Sequence, residues 1–254
     1  MTNSGDEAII PAATVVVIRD VAGHPPELLM LERSAAMTFA GGALVFPGGR
    51  IDPADHALAA VIGGGDAIDT AARIAAIREA IEEAGIALGV DPLPDAASLA
   101  TIRRALHAGE TIGEALREAG IALALDQLVP FARWLPRGVS HRVFDTHFYL
   151  ARAPHGGMPT VDATENTRLF WASAQSVIDD ADAGRVTIIF PTRRNLERLA
   201  RYASFDDAVA DARAHPVRTI TPWVETRDGA AFLCIPDDLG YPVTSERLSS
   251  AIRA

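Results

Sequence analysis

From residue 13 to 19 the chain is apolar and β-branched at odd and even positions alike, which predicts a strand buried on both faces. The turn Gly23-His24-Pro25-Pro26 and a returning apolar run over 27–32 complete a hairpin. A loop over 33–42 and a short strand over 43–46 then lead into Gly48-Gly49. Residues 52–62 predict a short helix with Pro53 at its first position, stopped by Gly63-Gly64-Gly65. The main helix follows, capped by Asp69 or Thr70 and running to Ala84. Its Ile74, Ile77 and Ile81 recur at helical spacing and should face a sheet, and Gly85 should end it in the left-handed conformation.

Residues 95–120 read as helical, with Thr111 and Glu114 as a capping-box pair and Gly109 and Gly120 as stops. Strands are expected over 128–134 and 142–151, and a turn over 154–159. Residues 164–171 lead into a helix over 173–183, and 191–203 and 205–214 make a helical pair. One or two strands over 216–235 surround the turn Arg227-Asp228-Gly229, and the tail after Ser245 reads as a short helix. This is mixed α and β in a single domain over 1–254. It carries a flexible polar tail over 1–10, a helical insertion over 87–125, and C-terminal helices with a strand over 173–254. No repeat or low-complexity linker divides it.

Composition adds limits. The 254 residues suit one domain, and the net charge of −10 with no basic run argues against a nucleic-acid partner. That surplus of acid would repel an anionic substrate unless a cation in the site attracted it. Cys234, the sole cysteine, lies in the apolar run Phe232-Leu233-Cys234-Ile235 and reads as a buried thiol, so no intrachain disulfide is expected. With no basic leader and no apolar stretch of membrane-spanning length, the expected location is cytoplasmic, with no membrane partner.

The chemistry concentrates in Arg78-Glu79-Ala80-Ile81-Glu82-Glu83-Ala84-Gly85-Ile86, where three carboxylates fall within five residues. Glu79 and Glu83 are one helical turn apart, with Glu82 beside them, and like charges so placed repel. A hard divalent cation, Mg²⁺ or Mn²⁺, would offset that repulsion; the plainer reading is a solvated acidic face. Arg78 is placed to reach Glu82 at i+4.

Together with Phe46-Pro47-Gly48-Gly49-Arg50-Ile51-Asp52 upstream, this stretch resembles the Nudix box, G-x5-E-x7-R-E-U-x-E-E-x-G-U, with U a bulky aliphatic. Gly49 fits the first glycine, and residues 78–86 fit the second half, with a small Ala80 at a U position. Asp55 stands where the first Glu belongs, and 22 residues rather than seven separate it from Arg78. The chain is more narrowly similar to the coenzyme A and acyl-coenzyme A diphosphatase branch of that family. The residues that carry this are Leu31-Glu32-Arg33-Ser34, the long insertion in the box, and Arg142-Val143-Phe144-Asp145-Thr146-His147-Phe148. Trp171 ahead of helices and Tyr241-Pro242 also fit, so the resemblance spans most of 10–243.

The resemblance implies an α/β/α sandwich of mixed sheets and a metal-dependent enzyme that hydrolyses the pyrophosphate of a nucleoside diphosphate linked to another moiety. Glu79, Glu82 and Glu83 would be the metal ligands, with the Gly49 carbonyl a further one. One of these carboxylates or Glu165 would be the general base. By their own chemistry Arg33, Arg50 and Arg142 could bind phosphate bidentately, with ion pairing as the plainer reading, and Arg33 and Arg50 are the substrate-binding candidates. Asp55 is expected outside the metal's coordination sphere, uncoupled from the helix by the longer insertion. The partner is a small nucleotide, with room for a homodimer. The alternatives are an ADP-ribose or dinucleotide pyrophosphatase and a ligand sensor without turnover. His141 and His147 read as core or surface residues. Trp134 and Trp171 read as core, with adenine stacking as the alternative, and the triple glycine lacks the Lys-Ser/Thr of a phosphate loop.

Overall fold

The computed structural model describes residues 8–37, 40–137, 142–154, 159–160 and 166–251. Along them run β1 (Ile9–Arg19), β2 (Glu27–Arg33), β3 (Leu44–Val45), β4 (Gly48–Arg50), α1 (Pro53–Ile62) and α2 (Ala67–Ala84). Next come β5 (Val90–Asp91), α3 (Ala96–His107), α4 (Ile112–Glu118), β6 (Ala122–Leu123), β7 (Val129–Trp134), β8 (Val143–Arg152) and β9 (Asn166–Ser173). The remainder is α5 (Ala174–Asp182), α6 (Phe190–Leu199), α7 (Phe205–Ala214), β10 (Thr219–Ile220), β11 (Trp223–Arg227), β12 (Ala230–Cys234), β13 (Ser245–Arg247) and α8 (Leu248–Ala251).

The main sheet has the order β10-β7-β8-β1-β2-β3, with β4 also paired to β1 and β9 to β2. The β1–β8 and β7–β10 pairs are parallel and the rest antiparallel. β1 is apolar on both faces because both are covered. Ala13, Val15 and Val17 join Ile74, Ile77 and Ile81 of α2 in one core. Val16 and Ile18 join Phe131, Trp134, Val177, Leu196 and Ala208 in the other, under α5, α6 and α7. The result is an α/β/α sandwich built on a mixed sheet, as expected.

Four expectations are corrected. β1 begins at Ile9, so residues 9 and 10 belong to the sheet, not to the tail. α2 starts at Ala67 behind Asp66, whose side chain accepts from the Ile68 amide at 2.8 Å. Asp69 is instead taken by the Tyr149 hydroxyl and Arg73. The insertion is not purely helical, because β5 and β6 pair within it. After residue 244 the chain first pairs with β12 as β13 and only then forms α8. Residues 155–158 of the expected turn lie outside the described residues. No helix among the described residues is long and apolar enough to cross a membrane.

Three local features place the acidic helix. β4 lies on β1, with Gly48 opposite Thr14 and Gly49 opposite Ala13; a Cβ at Gly48 would overlap the backbone of both. α1, capped by Asp52 with Pro53 in its first turn, packs against α2. At the far end Gly85 adopts φ 60°, ψ 33°, and its amide and that of Ile86 close on the Ile81 and Ala80 carbonyls.

Candidate active site

Arg78 is the hub of the site. Its Nη1 donates to Glu79 and Glu82, both at 2.9 Å, and its Nη2 to the Arg50 carbonyl at 2.8 Å. Its Nε and Nη2 also hold the two oxygens of Asp55 at 3.3 and 3.0 Å. Burial alone would lower the Arg78 pKa, but Glu79, Asp55 and Glu82 outweigh it and raise it. The insertion therefore does not uncouple Asp55. The extra residues are taken up by α1 and the glycine turn, and the Asp55 side chain, 1% exposed, returns to α2. Its second oxygen also accepts from the Asp52 amide at 2.9 Å, so this carboxylate is occupied by protein donors.

Glu83 is held differently. Its Oε2 accepts from the Gly48 amide at 2.8 Å and its Oε1 from Asn166 Nδ2 at 3.1 Å. Gly49 lies against Glu79 so closely that a Cβ there would overlap the carboxylate. Burial, aided by Glu83 and Glu82, pushes Glu79 up to about 8 against the pull of Arg78. Burial also raises Glu82, partly countered by Arg78.

As placed, no three acidic, His or Cys side chains among the described residues converge into a metal cluster. The physical reason is Arg78, which draws Glu79 and Glu82 to one guanidinium nitrogen. The chemistry of the donors nonetheless fits a hard divalent cation. Three carboxylates lie within about one turn of helix, and burial with the like charges of Glu83 and Glu82 raises Glu79, a cost that a bound cation would offset.

The remaining candidates fall around this centre. Arg33 ends β2 at a bulge opposite Asn166, and its buried Nε has no partner among the described residues. Arg50 is exposed on β4 and enters the network through its carbonyl. Glu165 and His141 lie outside the described residues. His147 is half-buried on β8, stacked at 6.5 Å on Tyr149. Trp134 is core, edge-on to Phe190 and Tyr241 and far from a stacking role, while Trp171 lies under the Arg19 guanidinium. Cys234 is buried, as expected.

Sequence reasoning missed Asn166, which looks like an ordinary turn residue before a strand. It also missed the insertion's part in the site. Arg103 of α3 donates to the Glu82 and Glu83 carbonyls at 2.9 and 3.3 Å and to Thr160 at 2.7 Å, closing the C-terminal end of α2. A basic residue in the second half of α3 is the only trace of this in the sequence, and a helix cation there is ordinary.

No family model matches the sequence, and no curated protein does. Among solved structures, a Nudix hydrolase from Alicyclobacillus acidocaldarius is 29% identical, with a TM-score of 0.71. The match covers 81% of this chain and 97% of that one. An Ap4A hydrolase binary complex from C. elegans is 19% identical over 68% of this chain and 86% of that one, with a TM-score of 0.38. The Nudix domain of Shewanella oneidensis NrtR, complexed with ADP ribose, is 12% identical over 76% and 87%, with a TM-score of 0.43. The fold is that of the Nudix hydrolases. The first likeness, with an Arg-Glu-x-x-Glu-Glu-x-Gly helix behind a Gly-Gly turn, supports an enzyme of this class.

Proposed function

We propose that this protein is a divalent-metal-dependent diphosphatase of coenzyme A or acyl-coenzyme A, giving 3′,5′-ADP and (acyl-)phosphopantetheine. The observation that carries the hydrolytic part is the acidic turn of α2, with Glu83 pinned to Gly48 and Glu79 against Gly49. Glu79, Glu82 and Glu83 would hold the metal, which when bound neutralises charge on the phosphate oxygens. Water oxygen bonds to one phosphorus, the bridging P–O bond breaks, and the other phosphate departs with the bonding pair. A carboxylate, one of these three or Glu165, takes the water's proton. Arg78 keeps the acidic side chains together and binds Asp55 in place of solvent.

Support for the coenzyme A branch is the resemblance in sequence, together with the need to pair its 3′-phosphate, a dianion costly to bury alone. Arg78 is fully engaged by carboxylates and the Arg50 carbonyl, so the recognising cation must be another, with Arg33 and Arg50 nearest in sequence to the Gly-Gly turn. A panel of coenzyme A, 3′-dephospho-coenzyme A, ADP-ribose and NADH with Mg²⁺ or Mn²⁺, the products read by mass, tests this. Coenzyme A should exceed its dephospho form in kcat/KM by about tenfold, since a charge-assisted contact contributes ~1.5–3 kcal/mol. Arg33→Ala or Arg50→Ala should narrow that gap, and Glu83→Gln should cut turnover by orders of magnitude on a folded protein. Faster cleavage of ADP-ribose would move the assignment to an ADP-ribose pyrophosphatase. No turnover on the whole panel would favour a ligand sensor, and a Glu83→Gln variant of normal activity would remove the acidic turn from the chemistry.

A further inference from the structure

We infer that Asn166 is a positioning residue of this site: its side-chain amide and the Gly48 backbone amide together fix the orientation of the Glu83 carboxylate. The inference rests on the hydrolytic reading above. Asn166 opens β9 and is 1% exposed; Glu83 is 4% exposed. The two Glu83 oxygens are held by donors from two different strands, Asn166 Nδ2 at 3.1 Å and the Gly48 amide at 2.8 Å. Among the described residues, Glu79 and Glu82 are held instead by the same Nη1 of Arg78, on a long side chain of their own helix.

An amide is a costly choice at a buried strand position, where a β-branched side chain packs better. Its bond to Glu83 explains the donor half. The acceptor half, Oδ1, is buried and has no partner among the described residues, and neither has the Nε of Arg33 on the paired position of β2. A side chain that served packing alone would not leave an acceptor unmatched. Two buried polar atoms without partners among the described residues, on paired positions of neighbouring strands and one of them on the side chain that holds Glu83, are what a working site leaves open. Side chains that orient a ligating group typically change metal affinity by 10–100-fold when lost.

The experiment compares wild type, Asn166→Leu and Asn166→Asp in three readouts. These are kcat and KM on coenzyme A with Mg²⁺, Mn²⁺ affinity from the free-ion EPR signal, and the thermal midpoint. Asn166→Leu removes the donor with little change in size; Asn166→Asp keeps the shape and replaces the donor by an acceptor, so either serves if the other fails to fold. The expected result is a kcat lower by about tenfold or more, KM within about threefold, and Mn²⁺ bound roughly tenfold more weakly. Thr167→Ala, next along β9 on its exposed side, should change none of these. A folded variant with kcat and Mn²⁺ affinity within about twofold of wild type overturns the inference, since an orienting partner is worth more than that. So does a loss carried by KM with Mn²⁺ affinity intact, which would make Asn166 a substrate contact. A wild type inactive on every nucleotide of the panel refutes the functional reading instead. The Mn²⁺ titration then decides whether Asn166 still orients Glu83.

Discussion

Although 22 residues lie between Asp55 and Arg78, one guanidinium spans both oxygens of one carboxylate in a nearly dry setting. The Arg78 and Asp55 side chains are 10% and 1% exposed. Removing one member of such a pair leaves the other buried and uncompensated, which costs about 3–5 kcal/mol. Asp55→Ala should therefore destabilise the protein by about that much in urea unfolding. A loss below about 1 kcal/mol, the usual value of an exposed pair, would show that Arg78 finds enough compensation in Glu79 and Glu82 alone. The shorter Asp in place of the box Glu is accommodated because α1 brings its backbone to α2, with Asp55 in the first turn of α1.

Among the elements, α3 has a role that its composition hides. Helix α2 ends with its last carbonyls unpaired by its own amides, and Gly85 closes only part of them. Arg103 supplies donors and a positive charge to the Glu82 and Glu83 carbonyls, where the helix dipole is negative. Arg103→Ala should cost about 1–2 kcal/mol. Arg104→Ala, whose side chain bonds to Thr101 of its own helix, should be near neutral. Equal midpoints for the two variants in thermal unfolding would mean that the insertion merely abuts the acidic helix. The triple glycine contributes more simply. Each of its residues takes φ of 64–72°, which lets α1 turn back onto α2.

For the whole molecule, the sheet face under α2 carries a titratable cluster around His147. His147 has Arg133, Asp145, Asp69, Asp66 and Tyr149 around it, and burial followed by the charge of Arg133 lowers its pKa from 6.5. A histidine lowered in the folded state binds its proton more readily unfolded. Its contribution is thus complete above about pH 6.5 and is lost as pH falls toward the folded value. The stability of wild type relative to His147→Gln should decline as the pH falls from about 7.5 through about 6.5 toward the lowered folded value. Urea midpoints of both proteins across that range test this, and the comparison cancels the carboxylates common to both. A constant difference would mean that Asp145 and Asp69 hold the imidazole at its ordinary value.

Much of this architecture is written locally. The two-faced apolar run at 13–19, Pro53 behind Asp52, the Thr111–Glu114 box and Gly85 at the end of α2 each act through near neighbours, and the structure has them where the sequence predicts. The acidic turn and Gly48-Gly49 are local in the same sense. Where several local answers compete, tertiary contacts decide. Asp66, Asp69 and Thr70 are all cap-forming types, and Asp66 becomes the cap because Tyr149, on β8, and Arg73 take Asp69. The same holds for Asp55 on Arg78, Arg103 on the end of α2, and Asn166 on Glu83, the last a bond between residues 83 apart. Nothing in the spacing of polar residues encodes such bonds. They form because the sheet and helices, once packed, bury these groups beside one another, and a buried donor or acceptor must be matched by whatever the fold brings within reach.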